Sequence, residues 1–114
     1  MNREFLLDPR ADATHILLAG EVDIAALPAF HRALHRALKA HPVRVVINLD
    51  GVTFIDSSGL GAIVDGYHMT TELGIGYRIG PAATPAVARV LAVTGLDEAL
   101  LADPPDDANA GMAG

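Results

Sequence analysis

Apolar positions along this chain change period several times, and each change marks an element. Phe5-Leu6-Leu7 is a short apolar run ahead of Asp8-Pro9, and His15-Ile16-Leu17-Leu18-Ala19-Gly20 is a second. Pro9 to Asp12 has turn composition, so the pattern predicts a hairpin. From Leu27 the spacing widens. Leu27, Phe30, Leu34 and Leu38 recur at threes and fours, which is one stripe of a helix. Pro28 suits its first turn, His31, Arg32, His35, Arg36 and Lys39 take the other faces, and His41-Pro42 ends it. Val43-Arg44-Val45-Val46-Ile47-Asn48-Leu49 follows. Its nearly continuous apolar content predicts a strand buried on both faces. The helix between Gly20 and Val43 has the length of a parallel crossover.

A second helix is predicted from about Ser57 to Leu73, with Gly74 as its stop. Gly76-Tyr77-Arg78-Ile79-Gly80 reads as a short last strand. Thr84-Pro85 is an N-cap followed by proline at the first helical position, and Val87, Val90, Leu91 and Val93 continue at mostly helical spacing until Gly95. Leu96 to Leu101 reads as one more short helical stretch. The order is β-β-α-β-α-β-α-α. It predicts an α/β fold with a mixed sheet of about four strands and helices packed on it. Residues 1–102 form one domain in this reading. Residues 103–114 hold two prolines and three aspartates among small residues, a composition that predicts a disordered acidic tail.

Composition narrows the classes of function. The chain has 114 residues, 51% of them hydrophobic, which suits a single domain with its own core. Cysteine is absent, so disulfides and thiolate chemistry are excluded and a reducing compartment is compatible. No apolar run reaches the roughly 20 residues that span a bilayer, and Met1 to Arg10 lacks the layout of a signal peptide. A cytoplasmic location without membrane insertion is expected. The net charge is −6. That balance opposes nucleic-acid binding, and 4% aromatic residues with no tryptophan give little to stack bases on. Proteins or small anions are the expected partners.

The chemistry concentrates in Phe54-Ile55-Asp56-Ser57-Ser58-Gly59-Leu60-Gly61, where a strand passes into a helix. Two adjacent hydroxyls stand between a carboxylate and two glycines. A helix start exposes N–H groups and favours negative charge, so a phosphate added to a serine there sits in a favourable field. A phosphate acceptor is the first reading. The plainer alternative is an N-cap and nothing more, and spacing alone leaves both open. Gly59, Gly61 and Gly66 argue for close approach by something, either the sheet or a partner, because each weakens a helix by about 1 kcal/mol relative to alanine. Glu21 and Asp23 follow the second strand and would sit on the rim of the sheet, where a partner can meet them.

Catalysis has less to stand on. The G-x-S-x-G elbow is not matched, and no spacing nominates a base among His15, His31, His35, His41 and His68. Walker and G-x-G-x-x-G loops are absent, and no cofactor is implied. His31 and His35 are four apart on one helix but lack a third local ligand, so a solvated face is the better reading than a metal site. The chain is therefore expected to have no enzymatic activity of its own.

Several of these segments together resemble one family. Gly20-Glu21-Val22-Asp23, the strand Val45-Val46-Ile47-Asn48-Leu49, the segment Gly51-Val52-Thr53-Phe54-Ile55-Asp56-Ser57-Ser58-Gly59-Leu60-Gly61 and the late Thr94-Gly95-Leu96 are similar to recurring signatures of the STAS domain. The chain resembles stand-alone STAS proteins of the bacterial anti-sigma factor antagonist type, from about Phe5 to Leu101. The resemblance implies a mechanism. The unmodified protein binds an anti-sigma factor that is also a GHKL-type serine kinase, and so frees the sigma factor. The kinase then phosphorylates the serine directly after the aspartate, here Ser57, and a PP2C-type phosphatase reverses the step. Glu21, Asp23, Asp56, Ser57, Ser58, Gly59, Leu60 and Gly61 are the partner-binding residues in this reading. Helix two departs from the pattern, with Asp65, Gly66, Tyr67 and His68 where many relatives place basic residues.

Two other readings stay open at this point. One is a STAS scaffold or regulatory module of another complex, such as a stress-signalling assembly or a lipid-transport subunit, with Ser57 unmodified. The other is a nucleotide-binding or nucleotide-hydrolysing protein that uses the same helix start. STAS domains serve several systems, so fold alone does not choose between them.

Overall fold

A computed structural model describes residues 4–80 and 84–95. Strands β1 (Leu6–Pro9) and β2 (Ala13–Val22) form the expected antiparallel hairpin, with Leu6 opposite Leu17 and Pro9 opposite Thr14. A 3₁₀ turn at Ile24–Ala26 leads into helix α1 (Leu27–Lys39). Strand β3 (Arg44–Ile55), helix α2 (Ser57–Glu72), strand β4 (Gly76–Ile79) and helix α3 (Pro85–Thr94) complete the described chain. The sheet order is β1-β2-β3-β4, with β2, β3 and β4 mutually parallel. This is the predicted mixed four-stranded sheet. The predicted stretch Leu96 to Leu101 and the tail 103–114 lie outside the described residues.

Each helix ends where the local chemistry stops it. His41 takes φ 51° before Pro42, where a right-handed helical conformation is disfavoured. Gly74 and Gly95 take φ 73° and 79°, the left-handed conformation that only glycine adopts without a steric cost. Thr84 caps α3 through the Val87 N–H.

Three expectations are corrected. The central strand does not begin at Val43, which is exposed, and it does not stop at Leu49 but runs twelve residues to Ile55. It is also not buried on both faces. Val45, Ile47 and Leu49 are fully buried, while the alternate residues Arg44, Val46 and Asn48 are half-buried, so its apolar run has one core face. Strand β2 is likewise longer than the apolar run His15–Gly20. It accommodates register shifts between Leu17 and Ala19 and between Gly20 and Glu21. These let both strands continue past the point where the apolar pattern fails.

The two crossovers, β2-α1-β3 and β3-α2-β4, step the same way across the sheet. A common hand therefore places α1 and α2 on the same face. That face carries Ile16, Leu18, Val45, Ile47, Tyr77 and Ile79, all buried. Helix α1 covers it with Phe30, Leu34 and Leu38 and three alanines, as its stripe predicts. Helix α2 covers it with Gly59, Ala62, Ile63, Gly66 and Thr70, a face of small residues that brings its backbone close to the sheet. Val87 and Leu91 of α3 join the same core.

Candidate functional site

The site is built by the extra length of β2 and β3. Past the bulges the two strands stay in parallel register, with Glu21 beside Phe54 and Val22 beside Ile55. The next residues are Asp23 and Asp56, and the Asp56 N–H donates to the Val22 carbonyl at 3.4 Å. Two sequence-distant acidic loops are thus held side by side at the carboxyl ends of the strands, where open α/β sheets commonly present their binding sites.

Each aspartate then starts a helical segment. Asp23 Oδ1 accepts from the Ala25 N–H at 3.1 Å and caps the 3₁₀ turn. Asp56 Oδ1 accepts from the Gly59 N–H at 3.1 Å and caps α2. The capping role therefore falls to Asp56. Ser57 becomes the first residue of α2, exposed to solvent, and Ser58 follows half-buried. Both serines remain outside the cap interaction.

The ionisable side chains of the two segments are all carboxylates. Glu21, Asp23 and Asp56 carry carboxylates there, and neither segment 21–26 nor segment 54–61 contains a lysine or arginine. A negative group added at Ser57 gains from the start of α2.

The family model for the STAS domain matches residues 8–107 of this sequence. The chain belongs to the STAS domain family. An anti-sigma factor antagonist from Mycobacterium paratuberculosis is similar to it in structure, with a TM-score of 0.76 and 27% identity over 89% of this chain and 85% of that one. SpoIIAA in its unphosphorylated form has a TM-score of 0.70 at 21% identity, covering 88% of this chain and 89% of its own. The Bacillus cell fate determinant SpoIIAA in its phosphorylated form has a TM-score of 0.65 at 20% identity, covering 88% and 92%. At these last two identities the likeness speaks to the STAS fold alone.

Within this STAS domain the three glycines of α2 separate into different roles. A Cβ on Gly59 would overlap the Val22 carbonyl oxygen and lie 2.9 Å from side-chain carbons of both Ile55 and Val22. A Cβ on Gly66 would stand 2.6 Å from the Tyr77 hydroxyl, which donates to the Ile63 carbonyl at 2.7 Å. Both glycines serve the packing of α2 on the sheet. Gly61 is exposed and has open space around its Cβ direction, so it is the one glycine here that leaves room outside the fold. Leu60 is half-buried and packs against the core.

Two exposed apolar residues lie on the same two segments. Ile24 is 71% exposed and Phe54 is 50% exposed, on the segments that flank Ser57. Phe54 lay within the motif but carried no separate signal. Ile24 gave none, because an isolated apolar residue after a strand looks like core. His31 and His35 lie on α1, away from these segments, and among the described residues no group of three potential ligands is placed to hold a metal. No helix of the described residues is long and apolar enough to cross a membrane.

Proposed function

We propose that this STAS domain is an anti-sigma factor antagonist switched at Ser57. In its unphosphorylated form it binds an anti-sigma factor with GHKL-type serine kinase activity, through the face formed by Glu21, Asp23, Asp56, Ser57, Ser58, Leu60 and Gly61. It acts there as a binding protein rather than as an enzyme. The kinase transfers phosphate to the Ser57 hydroxyl and the complex dissociates. A PP2C-type phosphatase restores the binding form.

One observation carries this reading: Ser57 is the exposed first residue of α2, freed from the cap by Asp56, in a chain of the STAS family. The Mycobacterium paratuberculosis antagonist, at 27% identity, supports the assignment to this branch. The physical switch needs no rearrangement. Phosphorylation adds about −1.5 to −2 charges and three acceptor oxygens in the middle of a contact, on a face already carrying three carboxylates.

Incubation with the cognate kinase and ATP, followed by peptide mass spectrometry, tests the site. Phosphate is expected on Ser57. Phosphate on Ser58 or Thr53 instead refutes the assignment. Ser57→Asp is expected to weaken kinase binding with the melting curve retained, and Ser57→Ala to bind but not to switch. Equal affinity of all three forms removes the mechanism.

A further inference from the structure

A cluster of charge sits at the turn of the β1–β2 hairpin, at the opposite end of β2 from Asp23. His15 of β2 lies across from Asp8 of β1. Residues opposite each other in an antiparallel pair hold their Cβ atoms about 5 Å apart on the same side of the sheet. Asp8 is already engaged: Arg10 donates to its Oδ2 through Nε at 3.1 Å and through Nη2 at 2.8 Å. The Nδ1 atom of His15 is shut off from solvent and has no hydrogen-bond partner among the described residues. The other charges around the ring come from the turn and from the neighbouring strands. Asp12 belongs to the turn, and Arg44 of β3 faces it at 3.8 Å. In the row of His15 itself, β3 supplies Val46 and β4 supplies Arg78, whose Nη1 donates to the Tyr77 carbonyl at 3.0 Å. Helices α1 and α2 pack on the other face, with Ile16 and Leu18.

We propose that Asp8 is the shared acceptor of a pH-driven exchange: with His15 neutral it holds Arg10, and with His15 protonated it turns to the His15 ring and releases Arg10. The argument compares what each donor loses. An imidazolium carries an N–H on both ring nitrogens, so Nδ1 becomes a charged donor out of reach of water. Such a donor, left without an acceptor, costs far more than an exposed ion pair contributes. The Arg10–Asp8 pair is of the exposed kind, with side chains 56% and 42% accessible, so a released Arg10 is hydrated. Asp12 is the poorer acceptor, because its side chain is 74% exposed on the turn and the register sets Asp8 across from the ring. The turn itself has no need to move, since the Arg10 N–H stays on the Ala13 carbonyl at 2.7 Å. Burial first, and then Arg10, hold the His15 pKa below its ordinary 6.5, while Asp8 and Asp12 act the other way. The exchange therefore sets in as pH falls below about 6.5. Release also removes the cation that opposes charge on the ring, so the two events reinforce each other. Acidification thus frees a guanidinium at the hairpin turn, independently of the function proposed above.

The test is an NMR titration of the full chain from about pH 8 to pH 5, the range in which histidine changes charge. Two signals are followed: the His15 ring nitrogens, which give its pKa, and the Arg10 Nε–Hε group. The Arg10 signal is expected to shift with the same midpoint as His15 and to lose its protection from solvent exchange on the acid side. In His15→Gln the Arg10 signal is expected to stay constant over the same range, which separates the exchange from titration of a carboxylate. In Asp8→Asn the His15 pKa should fall, because the acceptor of the charged ring is gone, and in Arg10→Gln it should rise. The same spectra report whether each variant is folded, and the two midpoints in the unaltered chain decide the matter if one is not. An Arg10 signal that stays flat while His15 titrates overturns the proposal. So does an Arg10 shift that persists in folded His15→Gln, or a His15 pKa unmoved in folded Asp8→Asn.

Discussion

Gly59 and Gly61 lie two residues apart in one helix, and alanine should act on them with opposite sign. At Gly61 the Cβ points into open space. Alanine there removes the helix penalty of glycine, a gain of about 1 kcal/mol. At Gly59 the same propensity gain applies, but the Cβ overlaps the Val22 carbonyl oxygen and crowds Ile55 and Val22 at 2.9 Å. Overpacking of this kind costs about 1–3 kcal/mol. The upper part of that range applies because the first obstacle is backbone of β2, which cannot rotate away. The net expectation for Gly59→Ala is a loss of about 1–2 kcal/mol after the propensity gain is deducted. For a domain of this size each kcal/mol moves Tm by about 4–8 °C. Urea unfolding followed by far-UV circular dichroism, with a thermal melt alongside, reads both variants. Gly61→Ala should raise the midpoint and Gly59→Ala should lower it. The same sign for both, or a neutral Gly59→Ala, would refute the claim that α2 is pressed against the end of β2.

Gly66→Ala should destabilise the domain through its contact with the Tyr77 hydroxyl, and the loss should shrink in a Tyr77→Phe background, so a double-mutant cycle in urea should show coupling where independent sites would add. Tyr77→Phe alone should cost about 1 kcal/mol, since it gives up the hydrogen bond to the Ile63 carbonyl, and an unchanged unfolding midpoint would contradict that bond. His15 is held below its ordinary pKa of 6.5, first by burial and then by Arg10, against smaller opposite effects of Asp8 and Asp12. The unfolded chain then binds more protons than the folded one, so stability present above about pH 6.5 is lost as pH falls through the folded pKa. His15→Gln should flatten the stability profile below that pH, and identical slopes in the two proteins would exclude this source. Asp56→Ala should lower stability by about 1 kcal/mol through loss of the cap, and a melt indistinguishable from that of the unaltered protein would show that another group caps α2.

Local rules made most of the fold legible. The stripe of α1, its proline entry, the glycines after α2 and α3 and the threonine cap of α3 are each set by the residues within one turn. The hairpin followed from two apolar runs and a turn. The helix start at the candidate site was legible for a similar reason: Asp56, Ser57 and Ser58 are contiguous, and a cap is set within four residues. Family resemblance added the choice of Ser57, which spacing alone left shared with the capping reading.

Other features depend on residues far apart in the chain. The apolar run of β3 looked two-sided because Val46 and Val45 are chemically alike, and only the placement of α1 and α2 on one face distinguishes them. The strands outlast their apolar pattern because pairing between residues 19–22 and 51–55 supplies the hydrogen bonds that side-chain burial does not announce. That pairing also brings the segment of Asp23 to that of Asp56, across more than thirty residues of sequence, and leaves Ile24 and Phe54 exposed on them. The helix glycines show the division most clearly. Sequence alone determined that something approaches α2 closely, because glycine is costly there. Tertiary structure decided what it is: the Val22 backbone at Gly59, the Tyr77 ring at Gly66, and open space at Gly61. A Cβ has the same intrinsic preference at all three positions, so the difference lies wholly in the atoms that folding brings to meet it.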